Sequence, residues 1–303
     1  MKNCNFINNT AQEAGCVIWS GANGVLSDST FTNNTAMGSA GGIWWFGANG
    51  IITDSIFTNN AVRAGNAAAV YWSGANGILS DSTFIGNTAN NNGGAVYWSG
   101  ANGALTSSTF TNNSVILGSA GAVDWWAVNG IITDSTFTNN SANSGGGVRW
   151  AAANGTVIGS NFTNNIANNG GGIGWSGENG NVISSTFSSN SANQLGGGVG
   201  WWAIKGTVSD SSFTNNIAKV DGGAAYWDIA GLMIDCSFIN TKWIDNNTKT
   251  NGIYSNNNLT INGGKGIVDI ATRDTLSGIS IVVLNNETYY YPPNTNINFN
   301  YTK

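Results

Sequence analysis

The 303-residue chain contains no histidine. That removes Ser-His-Asp and Cys-His catalysis and imidazole metal sites, and leaves carboxylates, tyrosine, lysine and arginine for any chemistry. Charge is scarce as well. Asp, Glu, Lys and Arg together make up 8% of the residues and the net charge is -5, so no basic face is available to follow a phosphate backbone, and nucleic acid is not an expected partner. No window is long and apolar enough to span a bilayer as a helix. The opening MKNCNFINNT has no charged segment followed by an apolar run, as a secretory signal would. The chain is therefore expected to be a piece of a longer polypeptide, with its export and anchoring parts elsewhere.

What the sequence has in abundance is repetition. The stretch Ile78 to Gly103, ILSDSTFIGNTANNNGGAVYWSGANG, returns along most of the chain, and its phenylalanine recurs at Phe6, Phe31, Phe57, Phe84, Phe110, Phe137, Phe162, Phe187, Phe213 and Phe238. A fixed period marks a solenoid, in which each unit buries its apolar face against its neighbours. Short β-branched and aromatic runs between Gly/Asn turns, without helical periodicity, make the units β structure. A coil of about 26 residues allows about three strands and turns.

Columns read down the repeats show which side chains point inward, because neighbours along a strand alternate faces. Two residues before each tryptophan the column is apolar from Val17 to Ala224. The tryptophan column itself, Trp19, Trp45, Trp72, Trp98, Trp125, Trp150, Trp175 and Trp201, ends on Tyr226 when aligned on the glycine five residues later. Both columns are expected inside, as are the phenylalanines and an aliphatic column that includes Leu26, Leu79 and Val157. Between them lies a mixed column, Ile18, Trp44, Tyr71, Tyr97, Asp124, Arg149, Gly174, Gly200 and Ala225, which tolerates charge and should face out. Asp124 and Arg149, one rung of roughly 4.8 Å apart, should form a surface ion pair. The asparagine three residues after each phenylalanine, such as Asn34 and Asn113, suits a repeated turn, since it tolerates the left-handed conformation and can bond along its own column.

The reading is an all-β protein: a parallel β-helix of about nine to ten coils over residues 1–240, an irregular last coil and cap over 241–265, and the start of an Ig-like β module over 266–303, with short strands around an Asn285-Asn286 turn. Cys4 and Cys236 fall in a column of serines and Cys16 in a column of glycine and alanine, so all three read as small side chains. Only Cys4 and Cys16 come near enough to pair, and a bridge is not expected.

The pairing of FxxN with Gly-Gly-Ala/Val/Ile, as in Phe31 to Asn34 with Gly41, Gly42 and Ile43, and in Phe84 to Asn87 with Gly93 to Val96, resembles the repeats of chlamydial polymorphic outer-membrane proteins. The neutral, Asn-rich FTNN version is similar to adhesin-like surface proteins of methanogenic archaea. This resemblance covers about residues 1–240 and implies a right-handed β-helix, a cell-surface or secreted location and a role in attachment, without cofactor or catalytic residues. Ala67 to Ala69 depart from it by replacing the glycines of one unit.

Outward aromatics are the candidate contact surface: Trp44, Phe46, Tyr71, Tyr97, Trp126, Trp202 and Trp227, expected to stack on glycans or anchor cell-surface proteins. Competing readings rest on other residues. Asp28, Asp54, Asp81, Asp134, Asp210 and Asp235 form a column, which argues for a solvated turn rather than a catalytic pair, with calcium as the alternative. Glu178, Asp221 and Asp228, near Lys205 and Lys219, are the seed for a carbohydrate-active lyase or hydrolase. Thr30/Thr32, Thr109/Thr111 and Thr136/Thr138 form a flat array like those of ice-binding solenoids, interrupted by Ile56, Ile85 and Asn161. Sequons at Asn8, Asn33, Asn112, Asn139, Asn154, Asn161 and Asn258 suit N-glycosylation of an exported chain.

Overall fold

A computed structural model describes residues 1–239 throughout. Beyond them it describes Thr241 and the strands Lys242–Trp243, Ile253–Ser255, Leu259–Asn262, Lys265–Thr272, Ser280–Leu284, Glu287–Tyr291 and Thr295–Tyr301.

The described residues form a parallel β-solenoid with no helix. One coil shows the plan: Val70–Trp72, Ile78–Ser80, Thr83–Ile85 and Thr88–Ala89 are four short strands, one more than expected. Each pairs in register with its counterpart on the next coil, Trp72 on Trp98, Leu79 on Leu105, Phe84 on Phe110 and Ala89 on Val115. The fourth strand is only two residues long, but its Ala36, Val62, Ala89 and Val115 pack as a small apolar cluster of their own. It lapses into single bridges at Ser141 and resumes at Ile166–Asn169.

Parallel in-register stacking puts like side chain over like, and the core follows from that. Trp72, Trp98 and Trp125 lie face to face, with centroids 4.7 and 4.6 Å apart and ring planes within 6°. Phe57, Phe84 and Phe110 do the same at 4.8 and 4.6 Å. Stacked aromatics of this size contribute about 0.5–1.5 kcal/mol per pair beyond their burial. The close fit needs glycine at the following turn. A Cβ on Gly77 would stand 2.3 Å from Cε2 and Nε1 of Trp72.

The last member of the tryptophan column corrects the sequence alignment. Trp227, not Tyr226, stacks on Trp201, at 4.9 Å, and is fully buried. Tyr226 pairs with Gly200 in the outward column, and Gly231 keeps its register with Gly206. The turn between them is one residue shorter than in the other coils, which keeps the indole inside and spares the core a tyrosine hydroxyl.

Polar ladders fix the corners. Asn113 is fully buried; its Oδ1 accepts from the backbone N–H of Asn87 at 3.0 Å and from Asn87 Nδ2 at 2.9 Å. Its own Nδ2 donates to the Phe84 carbonyl at 3.0 Å and to Asn140 Oδ1 at 3.1 Å. The same pattern runs from Asn34 to Asn216. The bonding along the column is as expected, but the left-handed residue is the one before it: Asn33, Asn59, Asn112, Asn139, Asn164 and Asn215 have φ between 53° and 56°. The aspartate column is left-handed too, Asp28, Asp54, Asp81, Asp134, Asp210 and Asp235 having φ of 48° to 50°, with Ser107, Gly159 and Ser184 in the remaining coils. Short polar side chains and glycine are the residues that adopt this conformation most readily. The serine column bonds inward, Ser82 Oγ donating to the Ser80 carbonyl at 2.7 Å and accepting from the Ser55 N–H at 3.1 Å. Cys236 takes that place with its Sγ 3.4 Å from the Ile234 carbonyl, and burial pushes its thiol up to about 12. All three cysteines are free thiols.

Past residue 240, Lys242–Trp243, Ile253–Ser255 and Leu259–Asn262 extend three of the ladders in parallel. Ser255 is set over Trp227 and Gly266 over Phe238, so both aromatic stacks end there. Within 266–303, Lys265–Thr272 and Ser280–Leu284 add to the solenoid in parallel, and each then takes an antiparallel partner, Thr295–Tyr301 and Glu287–Tyr291. The Asn285-Asn286 turn lies outside the described residues.

Candidate functional site

The outward column of the tryptophan strand and the residue just after that strand bring five of the seven candidate aromatics together. Trp44 packs on Phe46 at 5.0 Å and on Tyr71 at 4.9 Å. Tyr71 packs on Tyr97 at 4.7 Å, and Tyr97 on Trp126 at 6.4 Å. The guanidinium of Arg149 closes the series, its Cζ 4.5 Å from the Trp126 ring centroid. Phe46 and Trp126 are the most open members, 45% and 46% exposed, and the others are half-buried. Trp202 belongs to a second group. It meets Tyr226 at 5.9 Å, and its indole covers Gly200, where a Cβ would be 2.3 Å from the Trp202 ring. Trp227 is not on the surface; it is the buried end of the core stack, because the register there is one residue from that assumed.

The strip differs from a sugar-stacking platform in one respect. Rings whose centroids are 5.0, 4.9 and 4.7 Å apart and whose planes are inclined by 19°, 31° and 41° pack against one another, the first pair stacked and the other two tilted. Neighbouring rings thus cover part of the ring faces of Trp44, Tyr71 and Tyr97. Trp44 donates its indole N–H to Ser73 Oγ at 3.4 Å. Burial pushes the Tyr97 hydroxyl up to about 12, helped by Tyr71 and Asp124, and raises Tyr71 as well, so both remain neutral donors.

Beneath the end of the strip lies the feature that sequence reading placed wrongly. The expected ion pair with Arg149 forms, but Asp124 is fully buried rather than on the surface. Its Oδ2 accepts the Trp126 indole N–H at 2.7 Å and its Oδ1 lies 3.4 Å from Arg149 Nη1. Trp126 and Arg149 fold back over the carboxylate and stack on each other, which removes it from water. Burial pushes the Asp124 carboxyl up to about 7, while Arg149 and the indole N–H hold it from going higher. Asp124 and Arg149 thus join the strip as its anchor. Their shared outward column was the available signal, but the covering indole comes from a neighbouring column.

The remaining candidates are dispersed. The six aspartates of the turn column are all exposed, and no group of three or more Asp, Glu or Cys side chains is arranged to hold a metal among the described residues. Glu178 follows Trp175 and Asp228 follows Trp227, two rungs apart, or about 10 Å along the axis. Asp228 accepts from the Tyr226 hydroxyl at 3.2 Å. Asp221 sits in a different corner, in the loop before Ala225–Trp227, and is nearly buried. Lys219 donates to Asn193 Oδ1 at 2.8 Å.

Comparison with known families finds that the repeat of the Chlamydia polymorphic membrane proteins (Chlamydia_PMP) matches residues 81–97 and 210–226. Both stretches run from the left-handed aspartate through the phenylalanine strand to the middle of the tryptophan strand, and so span the two ladders on which the solenoid is built. No curated protein matches the chain.

Proposed function

We propose that the chain is a rigid segment of a cell-surface attachment protein, and that it holds its partner, a protein rather than a sugar, on the strip from Phe46 to Arg149. The repeat resemblance supports a surface protein built of such coils. The continuous outer stack carries the reading. It is a part-exposed aromatic row whose end lies over a buried carboxylate, and aromatic and arginine side chains of this kind dominate the energetics of protein interfaces. Glycan binding by ring stacking needs free ring faces, and those of Tyr71 and Tyr97 are engaged with neighbours. The rest of the solenoid serves as a spacer: ten phenylalanine rungs at roughly 4.8 Å make a rod on the order of 45 Å long. No cofactor and no catalysis enter this reading.

The test compares the wild-type chain with Phe46→Ala and Trp126→Ala for binding to intact cells and to a glycan array. The expected result is cell binding weakened by about ten-fold or more in Trp126→Ala, as for an interface anchor worth about 2 kcal/mol, with no signal on the array. Cell binding that survives both substitutions defeats the assignment. Array binding lost with either substitution reassigns the strip to sugars.

A further inference from the structure

The sequons among the described residues divide into two structural classes, with a consequence for covalent modification; Asn258 lies outside the described residues. Asn8, Asn33, Asn112 and Asn139 occupy one corner of the solenoid, the turn after the phenylalanine strand. All four are exposed and left-handed, with φ of 58°, 56°, 55° and 56°. Their backbones are pinned: each N–H donates to a carbonyl on the next coil, that of Asn33 to Thr58 and that of Asn112 to Thr138, both at 3.0 Å. Their side-chain amides make no hydrogen bond. The middle residue of each of the last three sequons, Asn34, Asn113 and Asn140, is turned into the buried ladder, so it does not stand beside the outer amide.

Asn154 and Asn161 are exposed as well, but their amides are occupied. Asn154 Nδ2 donates to Asn129 Oδ1 at 3.0 Å, and its Oδ1 accepts from Asn179 at 3.2 Å, within a side-chain ladder that includes Asn23, Asn49, Asn76 and Asn102. Asn161 Oδ1 accepts the Thr186 hydroxyl at 2.5 Å. The structural demand at the first corner is only for a left-handed residue, since Gly86 and Ser189 serve there equally well. Asparagine amides left idle at that corner are available for chemistry.

We infer that the corner carrying Asn8, Asn33, Asn112 and Asn139 is a glycosylated edge, whereas Asn154 and Asn161 stay bare. The inference rests on the surface reading only for export of the chain. In the reaction the amide nitrogen bonds to the anomeric carbon of a sugar activated on a pyrophosphate. The bond from that carbon to the pyrophosphate oxygen breaks with its electron pair going to the oxygen, and the amide gives up one proton to a base of the transferase. Neighbouring acceptors at Asn8 and Asn33, and at Asn112 and Asn139, are one rung apart, roughly 4.8 Å, too close for two bulky glycans. One occupied site per pair is therefore expected. The decorated corner is separated from the aromatic strip by the alanine strand and the glycine loop, so the strip stays open.

The experiment incubates the folded full-length chain with UDP-glucose and a soluble asparagine glucosyltransferase that reads Asn-x-Ser/Thr, and maps the products by peptide mass. The urea-unfolded chain sets the intrinsic rate of each site. Relative to that rate, one of Asn8 and Asn33 and one of Asn112 and Asn139 are expected to react about ten-fold or more faster than Asn154, whose amide must first leave two hydrogen bonds. Relative rates at the faster member of each pair no higher than at Asn154 overturn the inference. The same map on the chain isolated from the cells that make it should show glycan at this corner, and four bare asparagines there overturn it too. Trp126→Ala touches none of these turns, so loss of attachment with unchanged occupancy separates the two readings.

Discussion

Replacing Asn113 by alanine removes one rung of the buried asparagine ladder and strands several groups at once. The Asn87 backbone N–H and one Asn87 Nδ2 proton lose their acceptor, and the Phe84 carbonyl loses a donor, all inside the solenoid. A buried polar group without a partner costs about 1–3 kcal/mol, and a water entering the space left by the amide would satisfy part of the loss, so the expected cost is about 3–6 kcal/mol. The control is Asn112→Gly on the adjacent residue, which keeps the left-handed turn just as Gly86 does and should cost less than about 1 kcal/mol. A repeat array does not unfold as one unit, because its stability is a sum of coil and interface terms, so the assay is amide hydrogen exchange read coil by coil. At 1.4 kcal/mol per factor of ten, the amides of the coils holding Asn87 and Asn113 should exchange about 10² to 10⁴ faster, with coils near Asn216 unchanged. Exchange in Asn113→Ala no faster than in Asn112→Gly would refute the ladder as a structural element.

The other expectations concern the strip and the core. The Asp124 carboxyl, ordinarily at 3.8, is pushed up to about 7 in the fold, so across that window the folded chain holds a proton that the unfolded chain has released. Stability from this group is full below pH 3.8 and is lost as pH rises through about 7, and Asp124→Asn should flatten the dependence; thermal midpoints measured across the window check both. In Gly103→Ala the new Cβ would stand 2.4 Å from Cε2 of Trp98, so the indole stack must shift, at about 1–3 kcal/mol by denaturant midpoint. Gly21→Ala, whose Cβ would find its nearest neighbour at 3.9 Å, should be close to neutral.

The inside of the solenoid was legible in the sequence, because parallel stacking repeats each environment on every coil and a column then reports its own orientation. The indoles and phenyl rings from Phe31 to Trp201 are buried where column parity puts them. The errors fall where a column stops repeating. Aligning on glycine spacing put Tyr226 in the core, but a turn can give up one residue more cheaply than a stack can give up an indole. Asp124 read as exposed because column parity sets where a side chain points, not what folds over it; burial came from Trp126 and Arg149, whose stacking no single column shows. The fourth strand was missed because two residues carry no alternation. The packing of ring on ring in the outer strip was equally beyond reach, since rung spacing is legible in a repeat but side-chain torsions are not.

The same logic bears on the proposed contact surface. Core columns are held by the need to stack like on like, which leaves the outward columns free to vary, and the middle column of the tryptophan strand varies most, from Ile18 through three aromatics to Asp124, Arg149 and two glycines. The strip ends for a structural reason. At Gly174 and Gly200 the glycine loop leans onto the outer column, so that a Cβ on Gly170 would be 2.7 Å from the Gly174 Cα, and one on Gly196 2.7 Å from the Gly200 Cα. A side chain at Gly174 would meet Ser144 Oγ at 2.9 Å. The loop packs as closely beside Tyr97, Arg149 and Tyr226, so it is the missing side chains at Gly174 and Gly200, with Ser144 Oγ and the Trp202 ring set against them, that interrupt the row. Arg149, with Asp124 beneath it, therefore caps the longer row through Trp126, and Trp202 with Tyr226 forms a separate pair beyond the two glycines.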